Sequence, residues 1–240
     1  MAYYSQPAAA NYNTPPITMQ KQQRGYRICD QCDAAETPSA SKFRLCGGCM
    51  TTQYCSQDCQ KIHWPSHKPI CQHTADQISS VKQASSAFAD ENLYKGLRKF
   101  LSAHSALLGW AGFQALQLKR IPANVRQNAL LIELSYHGRH SESYRRFSVS
   151  STHIVPRNYI RDPLVISDIQ RREERCRHSG GIGTLVIIVK CGGQSQVMPV
   201  EVDPLSKISW DTREDWATVL HHFVDSGRTD FKPISTTSRG

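Results

Sequence analysis

Eight soft metal ligands crowd into residues 29–71, spaced in four pairs: Cys29-x-x-Cys32, Cys46-x-x-Cys49, Cys55-x-x-x-Cys59 and His67-x-x-x-Cys71. A segment this short cannot bury enough apolar surface to fold alone. Eight Cys/His ligands in pairs suit two tetrahedral zinc sites. Each structural zinc supplies on the order of 10–16 kcal/mol, which becomes folding energy when no preformed site exists. The segment is therefore predicted to be unfolded without two Zn²⁺. Cys-x-x-Cys pairs suit tight knuckles, and ligands four apart share one face of a helical turn. Two knuckles and two helical pairs can combine consecutively or crosswise, and spacing does not choose. Nor does it choose the histidine, because Cys59, His63, His67 and Cys71 all lie four apart, with His73 close by and Pro65 interrupting the turn between His63 and His67.

Clustered cysteines at metal spacing, an odd total of nine, and no basic-then-apolar leader at the start point to a reducing compartment. The expectation is an intracellular protein of nucleus or cytoplasm, neither secreted nor in a membrane, since the longest strongly apolar run is Leu185–Val189. The formal charge of +9 overstates the basic excess. Seven thiolates holding two Zn²⁺ would lower it to about +6. That excess predicts some attraction to polyanions rather than a specific nucleic-acid partner.

Along the chain, residues 1–24 are expected to be a disordered leader, rich in Ala, Gln, Asn, Tyr and Pro without periodicity. The finger takes 25–73, and a Ser/Ala/Gln-rich stretch at 74–89 reads as a linker or weak helix. Residues 90–228 read as an α+β domain of N-terminal helices, antiparallel strands and a C-terminal helix, followed by a tail at 229–240. Leu93, Leu97, Phe100, Leu101, Leu108, Ala111, Ala115 and Leu118 fall on one helical face. Asp90 reads as the N-cap, Gly109 and Gly112 as weak points, and Pro122 as the end, giving one bent helix or two consecutive ones. His104 lies on the apolar stripe and reads as a packed core histidine. Strands follow at 129–136 and around Phe147–Ser151, then a helix at 168–178 with a Ser167/Gln170 capping box. Thr184–Lys190, a Gly192-Gly193 turn and Ser195–Val202 form a hairpin. Thr212 and Asp215 are expected to cap a last helix carrying Trp216, Val219, Leu220 and Phe223.

The ligand pairs, with Tyr54-Cys55-Ser56, Cys59-Gln60 and Trp64-x-x-His67-Lys68, resemble the MYND-type zinc finger. The likeness covers the finger alone. It implies interleaved sites, with Cys29, Cys32, Cys55 and Cys59 on one zinc and Cys46, Cys49, His67 and Cys71 on the other. His63 and His73 are then not ligands. It also implies a protein-interaction module that docks short proline-containing segments, of the kind found in transcriptional corepressors and chromatin-associated proteins. The peptide contacts would fall on Ser56, Gln60 and Trp64, where an aromatic face receives a preorganised proline turn. Thr14-Pro15-Pro16-Ile17 resembles such a segment, and extended chain reaching about 40 Å would let it fold back onto the finger.

Catalytic patterns do not emerge. MYND fingers also occur beside SET methyltransferase domains, but the cofactor segment and catalytic tyrosine context of that domain are missing from the sequence. Gly180-Gly181-x-Gly183 precedes a strand instead of following one, which disfavours a dinucleotide loop. His221-His222 reads as surface or boundary packing, and Cys176 and Cys191 as free thiols. The run Arg171–Arg177 has its charge cut by Glu173 and Glu174 and reads as a solvated helix face. The expectation is a zinc-dependent adaptor and not an enzyme. The alternatives are a basic nucleic-acid-associated regulator, or an unrecognised enzyme in residues 90–228.

Overall fold

The computed structural model describes residues 29–34, 36–37, 43–49, 52–84, 88–138 and 143–236, without the side chains of 77–84, 88–92, 143 and 144. The expected leader at 1–24, with Thr14–Ile17, lies outside the described residues.

The finger begins with a two-stranded ribbon, β1 (Arg44–Leu45) against β2 (Gln53–Tyr54). Helix α1 (Gln57–Ala84) follows and runs through both Pro65 and Pro69. Pro65 therefore does not interrupt the turn between His63 and His67. Its missing N–H deprives only the Lys61 carbonyl of an intrahelical donor, on the side of α1 that faces solvent.

The remainder is an α+β domain. Helices α2 (Phe88–Ala103) and α3 (Ser105–Ala115) meet at His104, a corner rather than a clean break, since Leu108 N–H still reaches the His104 carbonyl at 2.9 Å. Asp90 lies inside α2, so it is not the N-cap. Gly109 and Gly112 do not weaken the line. Gly112 lets α3 approach the sheet so closely that an added Cβ would lie 3.0 Å from Leu185 Cδ2. A short helix, α4 (Asn124–Gln127), leads into β3 (Asn128–Tyr136), β4 (Phe147–Pro156), α5 (Pro163–His178), β5 (Gly183–Cys191), β6 (Gln194–Val202) and α6 (Trp216–Asp225).

The four-stranded sheet has the order β4-β3-β5-β6. The β3–β4 and β5–β6 pairs are antiparallel, and the central β3–β5 pair is parallel, so the sheet is mixed. Strand β5 is buried on both faces, which explains its unbroken Leu185–Val189 run. One face, with Leu130, Ile132, Leu185, Ile187 and Val189, packs against Phe100, Leu108, Phe113 and Leu220 of α2, α3 and α6. The other, with Leu131, Val186 and Ile188, packs against Ile169 of α5.

Three further local expectations change. Helix α5 starts at Pro163, with Asp162 as its N-cap accepting Leu164 and Val165 N–H, instead of at a Ser167 box. Asp215 stands at the start of α6, but its carboxylate pairs with Arg213 and makes no capping bond. Residues 229–236 are not a loose tail: Phe231 packs on Trp110 and Phe223, and Asp211 N–H reaches the Ile234 carbonyl.

Candidate metal centres and peptide face

The first knuckle is closed by Asp33 N–H on the Cys29 carbonyl (3.0 Å), with Asp33 itself at φ 59°. The second is closed by Cys46 N–H on the Thr52 carbonyl (2.8 Å). There, a Cβ on Gly48 would stand 2.6 Å from Cys71 Sγ, so only glycine lets the turn pass the sulfur. Helix α1 contributes Cys59, His63, His67 and Cys71 along one face and is capped by Ser56, whose Oγ accepts Cys59 N–H at 3.1 Å.

These elements bring the ligand atoms together crosswise. Cys29, Cys32, Cys55 and Cys59 form one group and Cys46, Cys49, His67 and Cys71 another, with the ligand atoms of each within 4.8 Å of one another. Among the described residues these are the groups able to share an ion. Separations include 3.6 Å for Cys32–Cys55, 3.5 Å for Cys55–Cys59 and 3.6 Å for Cys46–Cys71 sulfurs, and 3.5 Å from Cys49 Sγ to His67 Nε2. A tetrahedron with Zn–S bonds of about 2.3 Å has edges of about 3.8 Å, so the donor sets fit.

The orientation of His67 is set from behind. Its Nε2 faces the sulfurs, while Nδ1 lies 3.3 Å from Thr52 Oγ1, which fixes the ring as an outer-shell partner does in metal sites. His63 is buried but points elsewhere: Nδ1 lies 2.9 Å from Tyr54 Oη, and the ring stacks on His67 at 5.5 Å. Burial lowers it to about 4, so it is neutral at pH 7. His73 leaves the finger altogether, with Nε2 2.5 Å from Asp162 Oδ2 at the start of α5.

Electrostatics explains why the clusters call for a cation. Burial, then the Cys46 sulfur, pushes the Cys71 thiol up to about 12, and the Cys59 contact with burial does the same to Cys55. Cys29 moves the other way: burial opposes its charge, yet N–H groups of Cys55, Cys32 and Gln31 bring it down to about 7. Thiolates packed this closely repel one another, and a divalent ion replaces their protons.

Of the expected peptide residues, Ser56 is exposed but occupied as the cap of α1. Gln60 directs its amide nitrogen at Cys46 Sγ (4.0 Å), and Trp64 is 40% exposed with its ring edge-on to His67 at 6.0 Å. The three recur at intervals of four residues, from the cap of α1 along its first two turns.

A residue that sequence reasoning missed is Asp30, inside the first knuckle. Its side chain is 1% exposed. Oδ2 accepts Gln53 N–H at 2.8 Å, while Oδ1 meets Arg172 at 3.0 Å, Arg175 at 3.3 Å and Arg171 at 3.7 Å. Arg175 also pairs with Asp33 and Glu201, and Arg171 and Arg172 with Asp168. The α5 face carrying Arg171, Arg172 and Arg175 is thus not a solvated face: it is the seat of the finger. Nothing in the local sequence pairs Asp30 with residues some 140 positions away; only the alternation of sign within 168–177 hinted at neutralising partners.

The Cys191 thiol is buried, as is that of Cys176, which donates to the Gly183 carbonyl at 3.2 Å. No described helix is long and apolar enough to cross a membrane. Residues 29–71 match the family described as MYND finger. Dauer abnormal formation protein 25 of Caenorhabditis elegans is 34% identical over 70 residues, which is 28% of this chain and 17% of that protein. The chain therefore spans about a sixth of the length of that relative. No solved structure matches. Residues 29–71 are a MYND-type zinc-finger segment whose two Cys/His clusters fit two zinc ions.

Proposed function

We propose that the protein is a non-enzymatic adaptor of nucleus or cytoplasm, acting in transcriptional regulation, whose finger docks short proline-containing segments of partner proteins on Ser56, Gln60 and Trp64. The observation that carries the reading is Trp64: on a helix that turns His63, His67 and Cys71 inward, this indole stays 40% exposed directly beside a metal-site histidine. An exposed aromatic face anchored by a rigid metal site suits a preorganised proline turn, which pays little entropy on binding. Gln60 adds a side-chain amide at the same edge. Ser56 serves less directly, by starting the helix.

The basic run of α5 gives little to the nucleic-acid alternative, because Arg171, Arg172 and Arg175 are engaged by Asp30 and its neighbours. The test is fluorescence anisotropy of the full chain against a panel of labelled proline-containing peptides. Trp64→Ala is expected to weaken binding by roughly tenfold or more while zinc stays at two per chain. Unchanged affinity would refute the docking face. Loss of zinc from the variant would assign Trp64 to packing of the finger instead.

A further inference from the structure

The two clusters differ in exposure. Every ligand of the Cys46/Cys49/His67/Cys71 group is buried, whereas in the other group Cys32 is exposed and Cys55 and Cys59 are partly so. The more open cluster also holds the finger to the rest of the chain. Asp30 sits between its ligands Cys29 and Cys32, and both carboxylate oxygens are committed, one to β2 and one to the arginines of α5. Arg172 is 8% exposed and has its charge met by Asp30 and Asp168. The pairing therefore depends on the knuckle holding its turn.

We propose that the first cluster is the catch that docks the finger on α5. With zinc bound by Cys29, Cys32, Cys55 and Cys59, the knuckle presents Asp30 to Arg171, Arg172 and Arg175. When that zinc leaves, the knuckle relaxes, Asp30 withdraws, and the basic face of α5 opens while the buried second cluster keeps its ion. Zinc occupancy thereby controls whether this surface is covered. Linkage requires the reverse as well: the arginine seat must tighten the first zinc. The proposal rests on the two-zinc clusters and is independent of what Trp64 binds.

The test uses the full chain loaded with two zinc ions and treated with graded EDTA. Released zinc is counted colourimetrically, emptied ligands are identified by alkylation and mass spectrometry, and hydrogen exchange is followed across α5. The expected result is that Cys29, Cys32, Cys55 and Cys59 become alkylated first, with Cys46, Cys49 and Cys71 still protected. Exchange at 171–178 should rise on the order of tenfold in that same step. Unchanged protection of α5 when the first cluster is emptied would overturn the proposal, as would simultaneous release of both ions. A second arm uses Asp30→Asn, which keeps one acceptor oxygen. It should release its first zinc on the order of tenfold faster, with the second unaltered; wild-type release kinetics would count against the catch.

Discussion

At the scale of single residues, the finger depends on side chains that hold no metal. Thr52 is the clearest case. It bonds His67 through its hydroxyl and caps the second knuckle through its carbonyl, so it fixes both halves of the second site. Outer-shell partners of this kind change metal affinity by roughly 10- to 100-fold. Thr52→Val keeps the shape and removes the hydroxyl. It is expected to weaken the second zinc by that factor and leave the first unchanged, measurable by competition with a chromophoric chelator; equal affinities for the variant and wild type would remove the role. Gly48 belongs with Thr52, because the passage beside Cys71 Sγ leaves no room for a side chain. The cysteine ligands were legible from spacing, whereas the choice of His67 and the crosswise pairing came from resemblance. Thr52, Gly48 and Asp30 were not, because their importance lies in what they touch across the fold, and sequence distance hides that.

At the scale of elements, periodicity located most helices and strands, and its misses have physical causes. The start of α5 was misplaced because Asp162 caps Pro163, a pairing of N-cap and N1 proline as strong as the Ser167 box that was read in its place. The glycines of α3 looked like defects, yet Gly112 is where the helix meets Leu185 and Ile187, and Gly109 faces Val200. The parallel pairing of β3 with β5 was invisible, since β4 and α5 intervene. The corner between α2 and α3 offers a test at this scale. His104 is buried there against Phe100, with ring centroids 4.6 Å apart, and burial lowers its pKa to about 4 from 6.5. The folded state therefore binds its proton less readily than the unfolded state. The stabilisation is full above pH 6.5 and is lost as pH falls toward 4, with a limiting slope of about 1.4 kcal/mol per pH unit. In urea titrations between pH 7 and 5, His104→Leu should lack that part of the decline. Parallel curves for the two proteins would contradict it.

At the scale of the whole molecule, the finger and the α+β domain are joined by charge. The Asp30 clasp and the His73–Asp162 contact place the finger against α5, while Trp64 stays open to solvent. The clasp leaves the formal charge of +9 as it is, since each arginine is spent together with an acidic partner, but it removes the basic run of α5 as a concentrated face for an external polyanion. All of this depends on crosswise pairing of the four ligand pairs, because that arrangement packs both knuckles against α1. Native mass spectrometry of paired Cys→Ser variants tests it directly. With interleaved clusters, the variant altered at Cys32 and Cys55 damages one site and should retain one zinc, whereas the variant altered at Cys32 and Cys46 damages both and should retain none. Consecutive pairing would give the reverse, with one zinc kept by the Cys32/Cys46 variant and none by the Cys32/Cys55 variant.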